Sequence, residues 1–431
     1  MLWLYRVLFL PALVVVLPFF WWRTRGRGDW RQKIGDRFGR YTGIPAKKPG
    51  VKRIWLHAVS VGELMAVAPL LAPLRRQTGA EVFLTTTTTT GLTLAHQRLR
   101  SEVVGLGYFP VDFWPWSARA WRAIAPDVAL LAEGERWPEH IHQAARRGVP
   151  VICVNARLSD RGLRRARRVR ALALPLWRGI TAILAATESD ARAFCSLGFP
   201  KNRVRMTGNI KLDVEIPRLS MERLARLRAE LGLGNGSIIV GASTWPGEEQ
   251  ALVEALHVVR ARGVPAELLL VPRHAERRHE VEALLRKTGG FSYHLRSRGA
   301  SPRPVDIAVG DTTGELRAFL QLADVVFVGR SLPPHTEGQT PVEAAILEKP
   351  LMFGPGMGNF RDIATGLVAD GAAVVVTGRD ELAGELVRML TGEDRRVAIR
   401  SKLQIWRTKM MGATDRTCAA VNAILAGKYE A

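Results

Sequence analysis

Residues 53–86 read RIWLHAVSVGELMAVAPLLAPLRRQTGAEVFLTT, which is an apolar run, a segment of helical length and a second apolar run. Short apolar runs that alternate with longer amphipathic segments are typical of parallel sheets with crossover helices. Gly62 lies in the turn that follows the first run, where the helical periodicity begins. We therefore predict a strand, a helix and a parallel strand here, and an α/β fold for the chain.

The same alternation fills most of the remaining sequence in two series. At roughly 150 residues per domain, 431 residues suggest two or three domains. The segment 208–236 separates the two series, so we predict two doubly wound domains with a hinge there. The predicted helices include 61–76, 137–147 and 189–197. The predicted strands are 53–58, 81–86, 103–109, 127–132, 149–154, 180–186 and 203–207, then 237–242, 266–271, 305–309, 324–328, 350–353 and 372–376.

The N-terminal segment, residues 1–22, is almost entirely apolar, with Arg6 as its single charge. At about 1.5 Å per residue, a helix of this length just spans a hydrocarbon core of about 30 Å. The segment ends in Trp21 and Trp22 and passes into an arginine-rich flank rather than a small-residue cleavage site. We predict an uncleaved membrane anchor with the arginines on the cytoplasmic side. A half-inserted segment and a helix buried against the main domain are the alternatives.

The net charge of +22 is concentrated in two places. Residues 1–50 hold ten Lys or Arg and two Asp or Glu, and residues 155–178 hold eight Arg and one Asp. This distribution favours an anionic membrane surface or a phosphorylated substrate as the partner. It argues against nucleic acid, since no basic strand face is interleaved with aromatic residues. The arginines of 155–178 can also form an ordinary solvated helix face.

The cysteines and histidines show no metal or disulfide pattern. Cys153, Cys195 and Cys418 lie far apart, and the histidines contain no HExxH motif. We predict no protein-bound metal, no cofactor and a reducing compartment for the main domains.

Polar residues follow several predicted strands of the first series, where ligands bind in open α/β sheets. Glu63 follows the first strand in the first turn of a helix, where a carboxylate can act as a general base or complement the helix dipole. Glu133 and Glu135 follow the strand at 127–132. Two acids at that position need hydrogen-bond donors or a shared proton. Lys211, at the hinge, can neutralise a phosphate or be a solvated linker residue.

The second series outlines a nucleotide-phosphate site. The strand–loop–helix at 242–249 has hydroxyl groups and a helix start that could hold an anion. Arg273 could bind a phosphate through two hydrogen bonds, and Glu343 could accept hydrogen bonds from ribose hydroxyls. A Walker lysine and a GxGxxG motif are both absent from the sequence. The predicted substrate-binding residues are Ser243, Thr244, Pro272, Arg273, Thr313, Gly314, Glu315, Thr340, Pro341, Val342 and Glu343.

Nine motifs carry a resemblance to a known family. They are, in order, HAVSVGE, EGERWP, NARLS, TGNIKLD, AST..GEE, VPRH.ER, GDTTGEL, FVG.SL and GQTPVEAA. The set resembles the 3-deoxy-D-manno-octulosonic acid (Kdo) transferases of lipopolysaccharide assembly. The resemblance implies a GT-B fold, in which two Rossmann-like domains face a cleft. It also implies inverting, metal-independent transfer of Kdo from CMP-Kdo to a lipid A precursor at the inner membrane.

The resemblance also implies roles and a domain plan. Glu63 would be the general base, Glu133 and Lys211 would act in the transition state, and the substrate-binding residues named above would hold the CMP-sugar. The expected plan is a membrane anchor at 1–22, a basic linker at 23–50, an acceptor domain at 51–215, a nucleotide-sugar domain at 216–395 and a C-terminal helix at 396–431 that returns to the first domain.

The sequence departs from the family pattern in four motifs. EGERWPE stands in place of ETELWPN, STWPGEE in place of STHEGEE, FVGRSL in place of FVGGSL, and TEGQTPVE in place of GGHNPLE. Three of the four lie in the donor half and place Trp245, Arg330, Gln339 and Thr340 at altered positions. The alternative to CMP-Kdo is therefore a GT-B transferase that uses another nucleotide sugar, such as a UDP-sugar, on a membrane lipid acceptor.

Overall fold

The computed structural model describes residues 1–9, 11, 14, 33–213 and 215–428, with the side chain of Asp160 left aside. The chain divides into two units, Met1–Asp213 with Met410–Ala431, and Val214–Lys409. The boundary between the second unit and the C-terminal segment lies between residues 409 and 410, whereas the expected plan places it between 395 and 396. Residues 396–409, which the plan assigns to the returning segment, belong to the second unit.

The first unit is built on a parallel sheet of seven strands in the order β3-β2-β1-β4-β5-β6-β7. Its strands are β1 Arg53–His57, β2 Glu81–Thr86, β3 Gly105–Tyr108, β4 Val128–Ala132, β5 Val151–Ala156, β6 Ala182–Ala185 and β7 Val204–Met206. Its helices are α1 at 2–9, α2 Ile34–Arg37, α3 Val61–Val67, α4 Leu71–Thr78, α5 Thr89–Arg98, α6 Trp114–Ile124, α7 Pro138–Ala145, α8 Asp160–Arg168, α9 Arg170–Trp177 and α10 Glu188–Leu197.

The second unit has a parallel sheet of seven strands in the order β10-β11-β9-β8-β12-β13-β14. Its strands are β8 Ser237–Thr244, β9 Ala266–Pro272, β10 Tyr293–Leu295, β11 Ile307–Val309, β12 Val325–Val328, β13 Leu351–Phe353 and β14 Ala373–Val375. Its helices are α11 Met221–Glu230, α12 Glu248–Ala261, α13 Arg278–Thr288, α14 Leu316–Leu322, α15 Val342–Ile346, α16 Arg361–Ala369, α17 Arg379–Thr391 and α18 Glu393–Met410. The last helix, α19 Ala413–Leu425, belongs to the first unit.

These two doubly wound sheets confirm the predicted α/β class. Each predicted strand is present, and its observed ends lie within two residues of the predicted ones. This agreement arises because a fully buried parallel strand leaves an unbroken apolar run in the sequence. The strand that the sequence did not predict is β10. It has three residues at the edge of its sheet, and two of them are only half-buried. So short and polar a strand gives no apolar run to detect.

The sheet of the first unit is covered on both faces. Along β1, Ile54 and Leu56 pack into one core layer, and Trp55 packs into the other. Alternate residues of a strand point to opposite faces, so each central strand supplies both layers. Fully burying a Leu or Ile side chain stabilises the fold by about 1.5–3 kcal/mol. The loops at the strand ends therefore extend from a sheet that is packed on both faces.

The C-terminal helix α19 completes the core of the first unit. Its Val421 and Ile424 share a core layer with Leu64 of α3. The Asp213 carboxylate accepts hydrogen bonds from the backbone N–H groups of Gly412, at 2.7 Å, and Thr414, at 2.5 Å. The helix is thus held by apolar packing and by its first turn.

The N-terminal helix α1 contacts the first unit through polar side chains on one face. The Tyr5 hydroxyl donates to Asp112 Oδ2 at 2.5 Å. The Arg6 guanidinium donates to both carboxylate oxygens of the buried Glu139, at 2.8 and 2.9 Å. These contacts agree with the alternative in which the N-terminal helix packs against the main domain.

The opposite face of α1 is apolar and exposed. Among the described residues, no helix is both long enough and apolar enough to cross a bilayer. Most of the remainder of the predicted anchor lies outside the described residues. The exposed apolar side chains of α1 are Trp3, Leu4, Val7 and Leu8.

Candidate active site

Each sheet has one point where the strand order reverses, and the predicted site residues follow the strands on either side of it. In the first sheet this switch point lies between β1 and β4, and in the second between β8 and β12. Ligands of open α/β sheets bind at such points, beyond the carboxyl ends of the strands. Glu63 and Glu133 follow β1 and β4, whereas Thr244 and Arg330 lie at the ends of β8 and β12.

Glu63 is fixed at the start of α3 by reciprocal hydrogen bonds. The Ser60 hydroxyl accepts from the N–H of Glu63 at 3.3 Å, and Glu63 Oε2 accepts from the N–H of Val59 at 2.9 Å. The arrangement is close to a capping box, in which two otherwise unpaired donors are satisfied. The carboxylate is therefore held beside the switch point.

The electrostatic surroundings of Glu63 involve the two other predicted catalytic residues. Burial raises the pKa of the Glu63 carboxyl, the charge of Glu133 raises it further, and the charge of Lys211 opposes the rise. The structure thus brings all three residues into one electrostatic neighbourhood. A carboxylate with a raised pKa is a better proton acceptor near neutral pH than an ordinary glutamate.

Glu133 and Lys211 form an ion pair, in which Lys211 Nζ donates to Glu133 Oε1 at 2.7 Å. Glu133 directly follows β4 and has a left-handed backbone with φ of 50°. Such strain costs on the order of 1–3 kcal/mol in a non-glycine residue and clusters at functional sites. The side chains are 21% exposed for Glu133 and 38% for Lys211, so a ligand can reach the pair.

Glu135 is a titratable residue for which the sequence analysis predicts no separate role. Burial, and after it the charge of Glu63, raises the pKa of the Glu135 carboxyl to about 7. The Trp137 indole N–H donates to Glu135 Oε2 at 2.5 Å. Near neutral pH this carboxyl therefore exists in both protonation states. The sequence signal for it was the pair of acids directly after a strand.

The second switch point presents unpaired donors. Thr244 is fully buried, and its hydroxyl has no hydrogen-bond partner among the described residues. Arg273 directly follows Pro272, the last residue of β9, and its N–H donates to the Thr244 carbonyl at 3.1 Å. The Arg273 side chain is exposed. Ser243, in a left-handed conformation with φ of 55°, adjoins them. The structure thus brings these four predicted residues together.

The remaining residues that we predicted to bind the donor substrate lie on two other segments. An ion pair between Arg317 and Glu343 joins these segments. Glu315, just before α14, accepts from Arg296 Nε and Nη2 at 3.3 and 3.2 Å. Glu343, in the first turn of α15, accepts from Arg317 Nε at 3.4 Å. Within the described part of the chain, no hydrogen bond joins either segment to the Thr244 group. Thr313 and Gly314 are exposed before α14, and Thr340, Pro341 and Val342 lie at the start of α15.

The predicted anion position at the start of α12 is filled by the chain itself. Glu248 Oε2 accepts from the N–H groups of Trp245 and Arg330, at 2.9 and 2.7 Å. Its Oε1 accepts from those of Ser331 and Leu332, at 2.8 and 3.0 Å. Burial raises the pKa of Glu248, and these four hydrogen bonds oppose the rise. Glu248 is therefore a clamp between the loops after β8 and β12.

Solved structures share the fold. The glycosyltransferase from Rickettsia africae matches with a TM-score of 0.59 and 12% identity, over 88% of this chain and 99% of that one. The UDP-GlcNAc 2-epimerase from Neisseria meningitidis matches with a TM-score of 0.57 and 13% identity, over 87% of this chain and 99% of that one. These likenesses support the GT-B class of the two sheets.

Sequence relatives are more specific. A family profile described as 3-Deoxy-D-manno-octulosonic-acid transferase (kdotransferase) matches residues 32–214. The 3-deoxy-D-manno-octulosonic acid transferase of Bordetella pertussis is 34% identical over 434 residues, which cover 96% of this chain and 98% of that one. That of Haemophilus influenzae is 31% identical over 371 residues, 85% of each chain. Because such identity extends over almost the whole chain, this protein belongs to the 3-deoxy-D-manno-octulosonic acid (Kdo) transferases, a family of glycosyltransferases.

Proposed function

We propose that the protein is an inverting, metal-independent glycosyltransferase that moves Kdo from CMP-Kdo to a lipid A precursor. Glu63 is its general base. The observation that carries the proposal is the Glu63 carboxyl at the first switch point, with its raised pKa, beside the Glu133–Lys211 ion pair. Family membership supports the identity of the transferred sugar.

The proposed step is a single displacement. Glu63 takes the proton of an acceptor hydroxyl while that oxygen bonds to the anomeric carbon of Kdo. The bond from this carbon to the phosphate oxygen breaks, and its electron pair leaves with CMP. Attack opposite the leaving phosphate inverts the anomeric configuration. A positioned general base contributes roughly 10²- to 10⁴-fold to such a rate, and the Glu133 carboxylate suits the oxocarbenium character of the transition state.

The leaving phosphate finds its partners in the second unit. The Arg273 guanidinium is exposed, and the Thr244 hydroxyl lacks an acceptor among the described residues. Both can donate to a phosphate oxygen, and the arginine charge offsets the charge that develops on the leaving group. This cationic assistance supports transfer without a metal ion.

We also propose that the protein works at the cytoplasmic face of the inner membrane, where it binds anionic lipid. Helix α8 supports this placement, since its arginines are exposed. Val169 and Leu172 follow them and are also exposed, at 47% and 52%. Basic side chains next to exposed apolar ones are typical of surfaces that rest on anionic lipid. The exposed arginines of α8 are Arg161, Arg164, Arg165, Arg167 and Arg168.

Helix α1 supports the same placement. Its polar contacts hold one face on the first unit, while Trp3, Leu4, Val7 and Leu8 point outward at an i, i+3, i+4 spacing. The proposed contact of α1 is therefore an in-plane one, with this apolar face in the headgroup region.

The transferase proposal is tested with detergent-solubilised protein, a tetraacyl lipid A precursor and CMP-Kdo generated in situ, with mass spectrometry of the lipid. A product heavier by one or more Kdo units supports the proposal. Transfer from a UDP-sugar, in a sample that does not bind CMP, would replace the proposed donor with the alternative one.

The membrane proposal is tested by sedimentation with phosphatidylglycerol and phosphatidylcholine vesicles. We expect binding to the anionic vesicles that weakens with salt, and a loss of binding in R164E/R165E and in W3S/L4S. The variant E222Q, on an exposed residue of the second unit, is the control. Equal binding of wild type and both double variants would contradict the assignment of these surfaces.

A further inference from the structure

A compact group of side chains at the second switch point has no role in the function proposed above. Trp245 follows β8, and its ring centroid lies 5.6 Å from that of His274 and 6.0 Å from that of His335. The Arg330 guanidinium carbon lies 4.3 Å from the Trp245 ring centroid, which is a close cation–π contact. We call Trp245, His274, Arg330 and His335 the Trp245 cluster. It links the loops after β9, β8 and β12.

The backbone at the cluster is tightly constrained. A side chain on Gly329 would place its Cβ 2.5 Å from the Ser243 carbonyl oxygen and 2.7 Å from Thr244 Cα, so only glycine allows the two loops to touch. The next residue, Arg330, has a left-handed backbone with φ of 58°, a conformation that strains side chains other than glycine. A strained arginine here indicates that its guanidinium is used.

Three hydrogen-bond donors of the cluster region lack partners. Thr244 Oγ1, Trp245 Nε1 and Arg330 Nε are all buried and have no hydrogen-bond partner among the described residues. The indole and guanidinium N–H groups can only donate. A ligand that satisfies them must therefore supply acceptor oxygens. A buried donor without an acceptor is energetically unfavourable, so a ligand whose oxygens accept from these groups would be stabilised here.

The carboxylates near the cluster are engaged by donors of the chain itself. Glu337 binds Arg330 Nη2 at 3.2 Å, with side chains 28% exposed for Arg330 and 43% for Glu337. The other nearby carboxylate, Glu248, has both oxygens occupied by backbone N–H groups. Arg273, adjacent to His274, adds a second cation on the neighbouring loop. The carboxylates at these loops thus already accept from N–H groups, and the side chain of Arg273 is exposed.

We propose that Arg330, stacked on Trp245, is a specificity-determining residue that binds an acidic group of the donor, either its phosphate or the carboxylate of its sugar. The inference rests on the proposed function in that the second unit holds the nucleotide sugar. Trp245 fixes the guanidinium plane, and Glu337 holds one of its nitrogens. The donor oxygens complete the hydrogen bonds of Arg330 Nε and its neighbours.

The test uses the full-length variant R330G and calorimetric titration with cytidine, CMP and UMP, together with CMP-Kdo kinetics. Glycine suits the left-handed backbone, so R330G should unfold at or above the wild-type temperature. R330N, which also tolerates this conformation, is the second variant if R330G is poorly folded. R262Q, which removes an exposed arginine at the end of α12, is the charge-matched control.

Two results would support the proposal and separate its sources. Phosphate recognition predicts that R330G weakens CMP binding roughly 10- to 100-fold, the usual weight of a charge-assisted hydrogen bond, with cytidine binding unchanged. Carboxylate recognition predicts unchanged CMP binding and a similar rise in KM for CMP-Kdo, with kcat nearly constant. R262Q should match wild type in both cases.

Other results would overturn it. If wild type transfers Kdo and R330G keeps both its CMP affinity and its KM within about twofold, the inference fails and the proposed function stands. If wild type binds UMP and not CMP, the proposed donor fails, and the ratio of R330G to wild-type affinity for UMP decides the role of Arg330. If the wild type binds neither CMP nor UMP, both the proposed donor and the proposed role of Arg330 are contradicted.

Discussion

The two switch points of this molecule differ in the side chains that they carry. The one between β1 and β4 is acidic, with Glu63, Glu133 and Glu135 around a single lysine, and burial and mutual repulsion raise the pKa of Glu63 and Glu135. The one between β8 and β12 carries Arg273, Arg330 and Trp245, and both oxygens of its buried Glu248 accept from backbone N–H groups. The same sheet topology thus presents clustered carboxylates in one unit and arginine and indole donors in the other.

The strongest way to break this comparison is to remove the proposed base. E63Q keeps an acceptor oxygen for the Val59 N–H group and removes the ability to take a proton at neutral pH. We expect kcat to fall roughly 10²- to 10⁴-fold, because that is the usual contribution of a general base. CMP affinity, measured by calorimetry, should stay unchanged because the proposed nucleotide site lies in the second unit. An E63Q protein with near wild-type kcat would remove Glu63 from the mechanism.

Removal of the Glu248 carboxylate at the second switch point should lower the free energy of unfolding. E248A leaves four backbone N–H groups without their shared acceptor, and burial denies them water. We expect a loss of about 3 kcal/mol in the free energy of unfolding, measured by urea denaturation. The exposed E222A, in the first turn of α11, is the control and should change it by less than about 0.5 kcal/mol. Equal midpoints for the two variants would show that the Glu248 clamp is not needed.

The smallest expected effect tests the electrostatic coupling of Glu63 with Glu133 and Lys211 at the first switch point. The proposed mechanism requires ionised Glu63, so we expect kcat/KM to fall as the pH drops through the pKa of this carboxyl. The charge of Lys211 lowers that pKa and the charge of Glu133 raises it. K211M should therefore move the acidic limb of the kcat/KM profile to higher pH, and E133Q should move it to lower pH. Shifts of the same sign in both variants would contradict the electrostatic coupling.

The sequence predicted the fold well and the site in part, for physical reasons. Buried parallel strands leave apolar runs, so their positions were readable, whereas the short polar edge strand β10 was not. Glu63 and Glu133 could be placed after strands and Lys211 at the hinge, but the electrostatic coupling of the three depends on the contact of segments that are distant in the sequence. The clamp role of Glu248 was hidden because its partners are backbone N–H groups, which leave no mark in the sequence.

The return of α19 to the first unit has a consequence for synthesis on the ribosome. The second unit, Val214–Lys409, is a continuous segment, so all of its residues are available once Lys409 has emerged. The first unit lacks Val421 and Ile424 at that moment, and these residues pack with Leu64 beside the proposed base. The core layer that holds Leu64 is therefore complete only after the nascent chain has extended past α19.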